Sequence, residues 1–77
     1  MQALVDVGAS VLDLHALGIT GAPDLLAGFR GQERLIEVKT DKGRLDADQR
    51  KWHDAWRGHQ VAVVRSVDEA LRAIGAV

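Results

Sequence analysis

Arg34-Leu35-Ile36-Glu37-Val38-Lys39-Thr40 shows the strictest polar and apolar alternation in the chain, and its polar set includes two charges in an apolar neighbourhood. Side chains on a strand alternate between faces, so Glu37 and Lys39 share one face, roughly 6.6 Å apart along the strand, while Ile36 and Val38 take the other. A chain with this segment has to form a sheet and accommodate two opposite charges on one strand face. Its size leaves room for little else. At 77 residues it has about half of the roughly 150 that serve as a soft guide for one domain, so a minimal single domain spanning residues 1–77 is expected.

A domain this small buries only about 60% of the surface its unfolded chain exposes. The absence of Cys removes disulfides and thiolate metal sites as reinforcement. Pairing with a second copy is the expected remedy, and a homodimer is anticipated. The composition, 47% hydrophobic and 27% charged with one Pro and eight Gly, excludes disordered and collagen-like chains. No stretch approaches the ~20 apolar residues of a membrane span. Met1 to Asp6 carries neither a basic region nor a long apolar run, so a cytoplasmic location and no membrane partner are expected.

The remaining elements follow from periodicity and punctuation. Residues 1–7 make one or two helical turns ended by Gly8, and residues 10–15 alternate as a strand with one exposed face before a Gly-rich turn at Gly18 to Gly21. Pro23 favours the start of a second strand at about Asp24, running through Phe29, with a hairpin turn at Arg30-Gly31-Gln32-Glu33. After the loop Asp41 to Arg44, Asp46 is placed as the N-cap of a helix with Gln49 at capping-box spacing and Gly58 just past its end. Gln49, Trp52, His53 and Trp56 fall on one helical face. Residues 60–64 read as a short buried strand. Ser66 and Glu69 form a second capping box, opening a helix with Val67, Leu71 and Ile74 inward. The order is α-β-β-β-α-β-α.

Net charge is −1, which argues against indiscriminate nucleic-acid binding, but the distribution is uneven. Residues 1–29 hold no Lys or Arg, whereas residues 30–57 hold eight against six acids, among them Lys42, Arg44, Arg50 and Lys51. A mildly basic middle can face a polyanion, and a solvated surface has similar statistics.

Chemistry is concentrated in Asp24, Glu37 and Lys39. If the second and third strands pair as a hairpin, Asp24 and Glu37 approach each other at one end of the sheet. Two carboxylates held a few ångströms apart repel unless a cation lies between them, and Mg²⁺, bound through one or two carboxylates with retained waters, meets that need. A neighbouring lysine can neutralise charge developing on a phosphate. An exposed ion pair of Glu37 with Lys39, and a turn capped by Asp24, would give the same spacing, and spacing alone does not separate the two.

Gly21-Ala22-Pro23-Asp24, then Glu37-Val38-Lys39, Gly43-Arg44-Leu45 and Gln49, in that order, resemble the PD-(D/E)XK nuclease pattern and, within it, the VRR-NUC branch of phage-type and repair-type nucleases. The similarity covers roughly residues 8–74. It implies a restriction-endonuclease-like α/β core with a mixed four-stranded sheet and flanking helices. It implies an Mg²⁺- or Mn²⁺-dependent endodeoxyribonuclease in which Asp24 and Glu37 bind the metal with the Val38 carbonyl, Lys39 assists the nucleophile and Gln49 joins the site from the following helix. Branched DNA such as a four-way junction is the implied substrate, and Lys42, Arg44, Arg50 and Lys51 are the candidate DNA contacts. A phage or bacterial origin is the corresponding expectation.

Members of this branch carry a Glu on a first helix, where this chain has only Gln2 and Asp6. That departure motivates an alternative, a DNA-binding or assembly module that keeps the fold without cutting, and it adds to the case for a dimer by leaving one sheet face short of cover. Gln49 can serve the site or merely the capping box. Trp52 and Trp56 read as core or dimer interface rather than base-stacking platforms. His15, His53 and His59 lie on separate elements without metal-ligand spacing, and no histidine-bound metal is expected.

Overall fold

A computed structural model describes residues 1–77. The elements are α1 (Gln2–Asp6), β1 (Ser10–Asp13), a 3₁₀ turn (His15–Leu17), β2 (Leu25–Phe29), β3 (Gln32–Val38), α2 (Ala47–Ala55), β4 (Ala62–Val64) and α3 (Val67–Ala73). The four strands form one sheet in the order β1-β2-β3-β4. The first three make an antiparallel meander, and β4 returns parallel to β3 after the crossover through α2. This is the mixed four-stranded α/β sheet with flanking helices expected of a small restriction-endonuclease-like domain. No helix is long and apolar enough to cross a membrane.

The β2–β3 hairpin is tighter than its sequence implies. Phe29 pairs with Gln32, so the loop is only Arg30-Gly31, and both residues adopt left-handed conformations, φ 51° and 80°. Two consecutive positive φ values define the turn whose twist matches that of the flanking strands. The strained non-glycine position is tolerated where the Arg30 guanidinium lies 4.9 Å from the Phe29 ring centroid. Strand β3 therefore starts at Gln32 rather than Arg34. It ends at Val38 rather than Thr40, although the Lys39 N–H still reaches the Val64 carbonyl at 2.9 Å.

The first strand stops at Asp13 instead of continuing to His15. The Asp13 carboxylate accepts the His15 N–H at 2.8 Å, drawing the chain out of the ladder into the 3₁₀ turn, which Gly18 closes with φ 65°.

The register Leu25↔Ile36↔Ala62 puts Leu25, Ala27, Ile36 and Val64 on one sheet face, where Leu4 of α1 and Ala70 of α3 complete the core. Leu4, Ile36 and Ala70 are wholly enclosed. Although α1 has only five residues, it covers this face, contrary to the expectation of a bare one. Leu26, Leu35, Glu37 and Val63 point to the opposite face, which is the less covered of the two. There α2 buries none of its residues completely, while its two indoles stack on each other at 5.0 Å and 15°.

The ends of the helices also differ from expectation. Helix α2 finishes when Trp56 turns to an extended conformation, and Gly58 is no left-handed cap. A side chain there would collide with the Trp56 indole, at 2.7 Å. The final strand spans Ala62–Val64 rather than starting at Gln60. In α3 the Ser66 hydroxyl accepts the Glu69 N–H, but Glu69 reaches back to the Arg65 amide, so the second capping box is half formed. Leu71 and Ile74 face inward as expected, joined by Ala70 and Ala73, whereas Val67 is exposed.

Candidate active site

The hairpin brings Asp24 and Glu37 together. One step beyond the pair Leu25↔Ile36, the antiparallel register sets Asp24 opposite Glu37. Asp24 is anchored by the Val38 N–H on its Oδ2 at 2.7 Å. Glu37 is 1% exposed, on the strand face that looks toward α2. Burial first, then the hydrogen bond with Asp24 and the Asp24 charge, push the Glu37 carboxyl up to about 7, against the charges of Lys39 and His15. Burial also works to raise Asp24, but its hydrogen bonds with Glu37, the Val38 amide and His15 hold it below the ordinary carboxylate range. Of the two facing carboxyls, Glu37 is therefore the one that binds a proton more readily and Asp24 the one that ionises more readily.

Lys39 projects on the same side as Glu37, as the strand period requires. Its Nζ donates to Gln49 Oε1 at 2.8 Å, and the same oxygen accepts the Asp46 N–H at 3.0 Å while the Asp46 carboxylate caps the Gln49 amide. The two roles open to Gln49 are therefore not alternatives. The capping box fixes its side chain so that the carbonyl oxygen faces the lysine. Helix α2 is seated by Gly21, whose φ is 81° and where a Cβ would overlap the Asp48 carbonyl, so this position needs glycine for both conformation and close approach.

Two histidines that the sequence did not single out meet the carboxyls. His15 Nε2 lies 2.7 Å from Asp24 Oδ1, and its Nδ1 is 3.4 Å from Asp13. The hydrogen bond with Asp24, followed by the charges of Asp13 and Asp24, raises the His15 pKa. His53 Nε2 lies 3.5 Å from Glu37 Oε1, and both atoms are buried without a hydrogen-bond partner. Burial lowers the His53 pKa, favouring the neutral imidazole. His59 remains apart, against the Gln60 carbonyl. For His53 a sequence signal existed in its spacing of four residues from Gln49 on one helical face. For His15 there was none, because its approach depends on the 3₁₀ turn.

Lys42, Arg44, Arg50 and Lys51 are exposed on the loop and helix that follow Lys39, and none forms a salt bridge. The loop is shaped by Arg65, which donates to the Thr40 and Gly43 carbonyls at 2.6 and 2.5 Å. A concavity of about 420 Å³ opens beside Asp24, lined by Met1, His15, Asp24, Leu25 and Val38.

The donor set fits a hard divalent ion. It offers two facing carboxyls, one anchored by the Val38 N–H and the other buried with an oxygen that lacks a hydrogen-bond donor. No group of three or more His, Cys, Asp or Glu side chains is arranged to hold an ion by itself. That suits Mg²⁺, which keeps several waters and uses one or two carboxylates, better than a metal that demands a full protein cage.

Searches of the curated proteins and of the solved structures gave no significant match. A family model, that of the VRR-NUC domain, matches residues 12–68, which include the end of β1, the Asp24–Glu37–Lys39 group and all of α2. The chain therefore belongs to the VRR-NUC family of the PD-(D/E)XK nuclease superfamily.

Proposed function

We propose that this nuclease-family domain is a DNA endonuclease dependent on Mg²⁺ or Mn²⁺, with Asp24 and Glu37 as metal ligands and the Val38 carbonyl as a further oxygen donor. The observation that carries this reading is the pair of facing carboxyls, Asp24 anchored by the Val38 N–H and Glu37 buried with an unpaired oxygen, beside Lys39 held by Gln49. A buried acid with an unpaired oxygen is a poor structural element, because an apolar side chain of similar volume would pack there without the desolvation cost. A cation of higher charge in place of the proton removes that cost.

When bound, the ion supplies Lewis acidity at a phosphate oxygen and a template for in-line attack by water. The chain supplies the rest. Asp24 is oriented by the Val38 amide before any substrate arrives, and Glu37 is confined by burial. Lys39, held by Gln49, keeps its ammonium where negative charge develops on the phosphate. Lys42, Arg44, Arg50 and Lys51 neutralise backbone phosphates without reading bases, which favours recognition of DNA shape over sequence. The reading takes branched DNA, which the family resemblance implies, as the substrate, cut by a homodimer with one site from each copy.

Gln2 and Asp6 support a second reading. The Gln2 amide donates to Asp6 at 2.9 Å, and both side chains are exposed, so α1 sends no carboxylate to the site. On this reading the domain binds DNA and metal without cutting. Nicking of supercoiled plasmid in Mg²⁺ separates the two. The endonuclease reading expects nicking by the wild type and a loss of about a hundredfold or more in Glu37→Gln and Lys39→Ala, with unchanged circular dichroism. Undiminished cutting by either variant contradicts the assignment, and metal binding without nicking by the wild type favours the second reading.

A further inference from the structure

Glu37 on β3 and Lys39 just past its end, two residues apart, meet His53 and Gln49, four residues apart on α2. The spans match: two strand residues advance about 6.6 Å and four helical residues about 6 Å. Lys39 is held by Gln49 through a formed hydrogen bond at 2.8 Å. His53 stands in the same relation to Glu37 at 3.5 Å, with the two side chains 10% and 1% exposed. Neither His53 Nε2 nor Glu37 Oε1 has another partner. Trp52 meets the His53 ring edge-on, at 6.3 Å and 80°, and restricts its rotation.

We propose that His53 is the positioning residue for Glu37, its Nε2–H donating to Glu37 Oε1, so that the Gln49 and His53 side chains of α2 clamp Glu37 of β3 and Lys39 just beyond it in one act. This rests on the metal-binding reading above and adds a residue to it. If α2 needed only to cover the sheet at this position, an apolar side chain would do so without leaving a ring nitrogen unpaired. The contact is long in the ion-free protein. With Glu37 ionised it becomes charge-assisted and shortens. Hydrogen bonds to ligating carboxylates of this kind set the orientation of the ligand and hence the affinity for the ion.

The test is calorimetric titration with Mn²⁺ at a fixed pH of about 8, on the wild type and on His53→Gln, His53→Asn and His53→Ala, with thermal melts alongside. A Gln side chain can bring its amide N–H to the place of Nε2, whereas that of Asn stops short. The expected result is affinity within about threefold of the wild type for His53→Gln, and a loss of about tenfold to a hundredfold for His53→Asn and His53→Ala. Should Ala prove poorly folded, the Gln and Asn variants carry the comparison. Wild-type affinity in His53→Asn, or equal losses in Gln and Asn, overturns the proposal while leaving the metal site standing. No Mn²⁺ binding by the wild type overturns the metal-binding reading and this proposal together.

Discussion

Glu37 occupies a position where most folds would place a leucine, and its protonation has a signed effect on stability. Its folded value of about 7 lies above the ordinary 4.5, so the folded state binds more protons between those values, and stability falls as pH rises through that window. Asp24, Lys39, His15 and His53 face Glu37; of these the raised His15 acts in the same sense and the lowered His53 in the opposite one. Comparison with Glu37→Gln isolates the Glu37 contribution. In EDTA, the melting temperature of the wild type relative to that of Glu37→Gln should fall from pH 5 to pH 8, and saturating Mn²⁺ should flatten the fall. A difference independent of pH would mean that Glu37 ionises normally. At Asp24 the expected effect of Asp24→Asn is weaker Mn²⁺ binding as well as slower cutting, since a ligand charge is lost. Unchanged affinity in a calorimetric titration would remove Asp24 from the ligand set.

At the level of elements, the site depends on how α2 is fixed to the sheet, and its first turn is the fixed end. Gly21→Ala should displace that turn, destabilising the fold by more than about 1 kcal/mol in denaturant melts and cutting activity sharply; near-wild-type stability and cleavage would show that the Gly21 contact is dispensable. Asp46→Ala should cost about 1 kcal/mol and loosen Gln49, so that cleavage falls more than the stability change explains. What the sequence made legible here was local. The capping box of α2 was readable because Asp46 and Gln49 signal over three residues, and the shared face of Glu37 and Lys39 followed from the strand period alone. The two-residue turn at Arg30-Gly31 was not readable, because a left-handed arginine is not a sequence preference. The end of α2 at Trp56 was missed because Gly58 signalled a cap while serving as clearance for the indole. His15 and His53 reach the carboxyls only where separate elements are packed together; the helical face that His53 shares with Gln49 was readable, but what it would meet was not.

For the molecule as a whole, one sheet face is closed by α1 and α3, and the other is covered by a helix that buries none of its residues completely. Trp56 is 45% and Leu12 60% exposed on that second side. A symmetric dimer covering it would complete a core too small for comfort and set two metal sites on one particle. Since Trp56 is only half enclosed, Trp56→Ala should weaken assembly more than it weakens the protomer. Sedimentation equilibrium at micromolar concentration checks this, and a stable, active monomer of 8.3 kDa would contradict the dimer.

The most direct test of the central claim, a divalent ion shared by Asp24 and Glu37, is a crystal grown or soaked in Mn²⁺ with data collected for anomalous scattering. The expected result is a single strong anomalous peak within coordination distance of both carboxylates, with His15 released from Asp24 Oδ1 or turned aside. Full occupancy of Mn²⁺ elsewhere on the molecule, with none between Asp24 and Glu37, would contradict it.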